Sequence, residues 1–506
     1  MNGKQSVIII GAGIGGLFCG AILSKEGYKV QVFEKHYVAG GGLHQFKREG
    51  VFFETGIHVV GAFQQAGVLN RICSYLGIMD KLSILPEDED CFENLQVGSD
   101  NKEYRIPRGA SNYINYLSAE FPEEKENISR YLREIYAFCD MTRLYNLEFE
   151  DEEAAKSGHP EEFLESVGDF INRHVSDERL RAVLALANPF YAGEQYKTPV
   201  YIHAFIKKLF LEGACRFVGG SKQLADALVD VIKQNGGEVL VSNGVTHIEI
   251  KDKKIEHIIT ADGEKHQAEY YISAIHPSSL FKLLDTSQIQ RSYWSRVDSI
   301  PNTYSSFSLY IIFKPNSFPF LNYTGYYQED YNTTWEHDKY TLDTFPHGVM
   351  YLTPPETLND TFAVKMIVNC VMNIETVRQW ENTTVGKRGK EYENFKSRCE
   401  QQIIKQLEKV FPDIRSCIQS VYSSSPLTIR DYNNQKEGAM YGVKKDCNNM
   451  ELSYISVRTK LKNMLLTGQN INLHGILGVP LTAISTCGEL LGMKYLINRI
   501  NEYKNK

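Results

Sequence analysis

No stretch of this 506-residue sequence approaches the ~18 consecutive apolar residues that a membrane-spanning helix requires. Nor is there a cysteine pair at metal or redox spacing. The ten cysteines (Cys19, Cys73, Cys91, Cys139, Cys215, Cys370, Cys399, Cys417, Cys447 and Cys487) stand singly without a CxxC, which fits buried or idle thiols in a reducing compartment and gives no metal site. A basic excess is missing too. Lys and Arg total 55 against 62 Asp and Glu, and the net charge of -7 with no basic stripe argues against a nucleic-acid partner. No internal repeat, low-complexity tract or signal peptide interrupts the reading. The expected location is cytoplasmic or peripheral to a membrane, and nothing in the sequence sets the oligomeric state.

What is present is concentrated in residues 5–62. Ser6 to Ile10 is a short apolar, β-branched run of the kind that forms a strand buried on both faces of a parallel sheet. Gly11, Gly13 and Gly16 follow in GxGxxG spacing, with Gly15 between them. The first glycine permits the tight turn, the second admits a pyrophosphate to the backbone, and the third lets helix and strand pack closely. The spacing predicts a helix over 15–26 whose free N–H groups face the phosphates, then a strand over 29–33 ending at Glu34 and Lys35. A carboxylate there accepts both ribose hydroxyls of an adenosine and repels a 2′-phosphate. The continuation through Gly40, Gly41, Gly42 and Leu43 brings more bare backbone to the same place, which suits FAD, longer and fully enclosed, better than NAD.

Further along, 51–62 reads as extended and 86–108 as a polar hairpin turning at 98–101. Helices are predicted over 111–120, 123–143, 161–175, 179–187 and 201–210, the last aromatic and basic, buried or touching lipid. From Gly219 the pattern returns to a dinucleotide domain: a helix over 221–235, then strands over 238–242, 245–251, 254–260 and 270–274 that are expected to extend the first sheet, with Val245 against the adenine. A second excursion carries strands over 304–313, 348–352 and 361–368 and a helix over 392–410. A last segment has a short strand, the glycine turn of Gly468, Gln469 and Asn470, then Gly478 and Val479 and a helix expected to begin near Pro480. The basic, amphipathic stretch 493–506 suits contact with anionic lipid and equally a solvated terminal helix.

The fold class is therefore α/β. A Rossmann-like FAD-binding domain in three layers around a parallel sheet is assembled from 1–75, 211–285 and 455–506. A mixed α+β substrate domain, with a helical layer, is inserted as 76–210 and 286–454.

Six segments, FEKHYVAGGGLHQF, FETGIHVVG, GGSKQLADAL, NGGEVLVSNGV, SPLTIRDYNNQKEGAMYGV and LLTGQNINLHGILGVPLTA, run in order across nearly the whole chain. In them the sequence resembles the family of phytoene desaturases, carotene isomerases and retinol saturases, and most closely the retinol saturase-like branch. Phytoene desaturases usually carry an arginine after the paired glycines, where this chain has Leu43 and His44. The resemblance implies non-covalent FAD, a lipophilic polyene or isoprenoid-like substrate, and attachment to membranes without spanning them. It implies cofactor contacts at Gly11, Gly13, Gly16, Glu34, Gly41, Gly42, Val245 and 467–470, and places the GAMYG turn beside the flavin. No catalytic acid or base is fixed by the motifs; His44, His58 and Tyr441 are the candidates.

The leading expectation is an FAD-dependent oxidoreductase acting on carbon-carbon double bonds, with NAD(P)H, a reductase or a quinone as external electron donor, since no second GxGxxG unit is present. Isomerisation with reduced FAD, desaturation, amine oxidation and a non-catalytic lipid carrier of the same fold are the competing readings. A carrier has no need of an intact glycine turn and Glu34.

Overall fold

The computed structural model describes residues 5–149, 161–285, 291–336 and 338–504. The domain limits expected at 1, 286 and 506 lie outside these residues. Strand Ser6–Ile10 is the middle of a five-stranded parallel sheet, flanked by Lys29–Phe33 and Glu238–Leu240 on one side and by Tyr270–Ser273 and Met464–Leu466 on the other. Its side chains alternate between two cores. Val7 and Ile9 join the cluster under helices Ile14–Lys25, Lys222–Gln234 and Gly475–Leu491, whereas Ile8 and Ile10 join Ile248, Ile250 and Ile258 on the opposite face. Burial on both faces is why this run has no polar alternation.

Those isoleucines of the opposite face belong to an antiparallel meander, Val245–Lys251, Lys254–Thr260 and Lys265–His266, which forms a sheet of its own. The expectation that the 238–274 insertion extends the first sheet therefore holds only for Glu238–Leu240 and Tyr270–Ser273. The intervening strands cover the sheet as a third layer because their apolar residues alternate, so that only one face can be buried.

A seven-stranded mixed sheet stands beside this unit, in the order Ile418–Ser424, Ser305–Phe313, Lys365–Met372, Gly348–Leu352, Thr324–Gln328, Glu93–Val97, Lys102–Ile106. The last two strands are the expected hairpin. Strand Ser305–Phe313 shows how its sequence alternation is used: Phe307, Leu309, Ile311 and Phe313 enter the core of this sheet, while Tyr310 and Ile312 pack on Phe53 and Ser306 and Ser308 face a cavity.

Several expected limits move. The closing helix begins at Gly475 and contains Pro480 instead of starting at it. Strand 361–368 is displaced to Lys365–Met372, and residues 361–364 pair instead through isolated bonds with Phe313, Phe318 and Phe320. The helix expected over 161–175 divides at Ser166, whose hydroxyl accepts from Asp169 N and starts a new helix, Val167–His174. Helix Val200–Gly213 is buried over most of its length, so it is no lipid-facing helix. Met493–Asn501 also turns its apolar residues Leu496, Ile497 and Ile500 into the core, with Lys494, Tyr495 and Asn498 outward; residues 505 and 506 lie outside the described residues. Among the described residues no helix is long and apolar enough to cross a membrane.

Candidate functional site

The parallel strands end at a cavity, as ligand sites of open α/β sheets do. Gly11 has φ +98°, and a Cβ on Gly16 would lie 2.1 Å from the Gly11 carbonyl oxygen, so the turn and the helix after it are pressed together at backbone contact distance. A Cβ on Gly15 would meet Gly468 Cα at 3.0 Å, and one on Gly41 would meet Gly13 Cα at 3.1 Å. Three glycine segments thus converge. Gly13 and Gly42 differ, since added Cβ atoms there would meet nothing within 4 Å. The space above the turn is a cradle that bare backbone leaves open.

Helix Ile14–Lys25 has no side-chain cap, so its first N–H groups remain for an anionic ligand at this cradle. Glu34 stands at the tip of the second strand. Its Oε2 accepts from Ala12 N at 2.8 Å and its Oε1 from His36 N at 2.8 Å, and each oxygen keeps a second lone pair for a ribose hydroxyl. Lys35 is exposed at the rim, where partial desolvation lowers its pKa. Val245 lines the cavity near this end. The donor-rich turn, the acid and the open glycine backbone fit the adenosine diphosphate half of FAD.

Four of the expected contacts do not reach the cavity lining. Gly16 is used in packing, Leu43 is fully buried, Thr467 is buried with its N–H donating to the Ser273 carbonyl at 2.9 Å, and Asn470 accepts at Oδ1 from Val443 N at 3.0 Å. That bond locks the Thr467–Asn470 turn to the GAMYG turn, where a Cβ on Gly442 (φ +73°) would lie 2.1 Å from the same oxygen. Gly468, Gln469, Gly478 and Val479 do line the cavity, as do Ala439, Met440 and Tyr441 of GAMYG.

The three catalytic candidates have unequal freedom. His44 is held at Nε2, 2.9 Å from the Val38 carbonyl and 3.1 Å from Gly41 N, and stacks on His36 at 4.5 Å. Burial first, with His36 and Lys222 nearby, lowers its pKa to about 4. Its role in the geometry is to brace the second glycine cluster. His58 points Nδ1 at Glu54 Oε2, 3.5 Å away, and Glu54 is itself fixed by Ser221 N. Tyr441 is half-buried on the cavity wall, its backbone N–H donating to Thr303 Oγ1. Burial raises its pKa, so its phenol stays protonated near neutral pH.

Residues that the sequence reading did not assign complete the cavity. Helix Val200–Gly213 contributes Ile202, Phe205, Ile206, Leu209 and Phe210, an apolar wall continuous with Pro189 and Phe190. The mixed sheet contributes Tyr326, Met350 and Val371 beside Ser306, Ser308 and Asn369. His474, at the boundary of the closing helix, is also in the lining. The aromatic run over 201–210 suggested a buried helix but carried no sign that its buried face would border an open space.

A family model described as flavin-containing amine oxidoreductase matches residues 14–489. The chain is 24% identical to the all-trans-retinol 13,14-reductase of Homo sapiens over 552 residues, which covers 99% of this chain and 89% of that protein. It is 26% identical to the chloroplastic prolycopene isomerase 2 of an Oncidium hybrid cultivar over 461 residues, covering 87% and 75%. Among solved structures, an oxidoreductase from Methanosarcina mazei has the same fold, with a TM-score of 0.63 at 18% identity over 95% of this chain and 99% of that one.

Proposed function

Since the chain belongs to the flavin-containing amine oxidoreductase family and is an FAD-dependent oxidoreductase, we propose that it reduces a carbon-carbon double bond of a lipophilic polyene or other isoprenoid-like substrate. The observation that carries this reading is the apolar wall of Ile202, Phe205, Ile206, Leu209 and Phe210, which continues from the cofactor cradle into a slot suited to an extended hydrocarbon chain. The likeness to proteins named for retinol reduction and prolycopene isomerisation supports the same substrate class.

FAD, when bound, supplies the hydride transfer that such a reduction needs. The chain supplies binding and orientation. Gly11, Gly13 and Gly15 with the helix N-terminus hold the pyrophosphate, Glu34 the ribose and Val245 the adenine. Gly41 and Gly42 pass alongside, and Gly468, Gln469, Gly478 and Val479 hold the far end, where the N-terminus of helix Gly475–Leu491 favours negative charge. The apolar wall excludes water from the reacting carbons. His58 and Tyr441 are the remaining candidates for moving a proton, with His44 a positioning residue. These contacts divide between the two units proposed for the chain, an FAD-binding unit of 1–75, 211–285 and 455–506 and a substrate unit of 76–210 and 286–454. The electron donor is external, NAD(P)H being one form of it, and any membrane contact is peripheral.

The second reading is isomerisation without net redox change, which the likeness to prolycopene isomerase favours. The visible spectrum of the purified protein tests both. Flavin bands are expected, and a preparation that is colourless after incubation with FAD and removal of the unbound flavin contradicts the reduction and the isomerisation alike.

A further inference from the structure

One cross-strand row of the mixed sheet forms a floor under the cavity. Ser308 stands opposite Asn369, Asn369 opposite Met350, and Met350 opposite Tyr326, so the four side chains share one face, and all four line the cavity. Ser308 Oγ donates to Asn369 Oδ1 at 2.6 Å, and Ser306 Oγ, 3.4 Å from Ser308 Oγ, stands behind it in the same chain of hydroxyls. The carboxamide is thereby held at its oxygen, and the two N–H groups of its Nδ2 are left over. Asn369 is half-buried, and its Nδ2 has no hydrogen-bond partner among the described residues yet is not sealed off.

A second carboxamide lines the same floor. Gln328 accepts at Oε1 from Thr334 Oγ1 at 2.8 Å, but it is only 6% exposed, so Asn369 is the amide with surface to offer a ligand. A fixed N–H pair without a free acceptor beside it calls for an oxygen that accepts. Among the described residues of the lining the only carboxylate is Glu34 and the only ammonium is Lys35, both at the ribose end, so the floor is built for an uncharged group. A carbonyl oxygen answers both requirements, since it accepts and carries no charge.

We propose that Asn369 Nδ2 donates to the carbonyl oxygen of a substrate whose double bonds are conjugated with that carbonyl, so that such a compound is preferred over the hydrocarbon of the same skeleton. This rests on the polyene reading given above and adds a carbonyl to it. The chemistry of reduction suits the placement. Hydride from the reduced flavin forms a C–H bond at the carbon β to the carbonyl, the π electrons pass to the carbonyl oxygen, and a proton entering at the α carbon through His58 or Tyr441 restores the C=O bond. The negative charge of the intermediate therefore gathers on the oxygen that Asn369 holds, where a fixed donor counts most. Ser308 is a positioning residue, acting through the carboxamide.

The test is equilibrium binding to the FAD-loaded protein, read by quenching of protein fluorescence. The probes are the methyl ester of all-trans-retinoic acid, all-trans-retinol, and the hydrocarbon in which hydrogen replaces the retinol hydroxyl. The wild type is expected to bind the ester about 10-fold more tightly than the hydrocarbon. Asn369→Leu is expected to lose that preference while still binding the hydrocarbon, and Asn369→Asp, which sets an acceptor where the donor stood, to lose it as well. Flavin content and thermal midpoint show that each variant is folded and loaded. Equal binding of ester and hydrocarbon by the wild type, tighter binding of the alcohol than of the ester, or an undiminished ester preference in either variant overturns the assignment. Loss of FAD from a folded Asn369→Leu protein also overturns it, by placing Nδ2 on the cofactor. Failure of the wild type to bind any of the three probes overturns it together with the polyene reading, which separates that failure from the others.

Discussion

The backbone N–H of Ala12 donates to Oε2 of Glu34 across 2.8 Å, joining the glycine turn to the acidic tip of the second strand. Position and charge at this end of the cradle are therefore set together. Glu34→Ala removes the acceptor of Ala12 and His36 as well as the proposed ribose ligand. Bonds to a charged acceptor contribute about 1.5–3 kcal/mol each, so FAD affinity should fall at least roughly 10-fold. Flavin content after gel filtration, followed by FAD titration, checks this; unchanged occupancy removes Glu34 from the site.

Two glycines of the same turn should fail in different ways. Gly16→Ala places a methyl group 2.1 Å from the Gly11 carbonyl oxygen and is expected to lower the thermal midpoint of the apoprotein. Gly13→Ala meets no neighbour within 4 Å, so the apoprotein should keep its stability while losing flavin. Melting curves of both variants without and with FAD read the difference, and equal destabilisation of the two apoproteins would contradict it.

Acid should destabilise the fold through its buried histidines. Burial lowers the pKa of His44 to about 4, of His203 to about 3 and of His474 to about 4, below the ordinary 6.5. The unfolded chain therefore binds protons that the folded one refuses, and stability present above pH 6.5 is lost as pH falls towards 4. Each histidine contributes a slope of up to about 1.4 kcal/mol per pH unit. His203 is the cleanest probe because it lies between Tyr131 and Tyr191, hydrogen-bonded to both hydroxyls at 2.6 and 3.0 Å. Urea unfolding between pH 7 and 5 should show a shallower slope for His203→Gln than for the wild type, and an identical slope removes His203 from this explanation.

The apolar wall should matter to the substrate and not to the cofactor. Ile206 is partly buried and lines the cavity from helix Val200–Gly213. Ile206→Asp puts a carboxylate on that wall and should weaken polyene binding about 10-fold or more with flavin content unchanged. Loss of flavin, or retained polyene affinity, would count against the wall as the substrate surface.

How legible these features were in the sequence follows from the range of the interactions. Ser6–Ile10, the glycine turn and Glu34 are adjacent in the chain, and their chemistry is local, so pattern alone placed them. Pro480 misled because proline favours a helix start, whereas here the first turn is built by Gly475 to Val479 and proline falls in the second. The meander of Val245–Thr260 showed its alternation but not which sheet it would cover. His474 had no local signal. Its place on the cavity wall depends on Tyr441 and Phe190, brought to it from two other segments of the chain.

The central claim is that reduced enzyme saturates a polyene double bond, and its most direct measurement is the mass of the product. Dithionite-reduced, FAD-loaded protein is incubated anaerobically with all-trans-retinol, and the extract is analysed by liquid chromatography and mass spectrometry. The account predicts a product heavier by two hydrogens, formed with reoxidation of the flavin. A product of unchanged mass and shifted retention time, or retinol recovered unaltered, would contradict it.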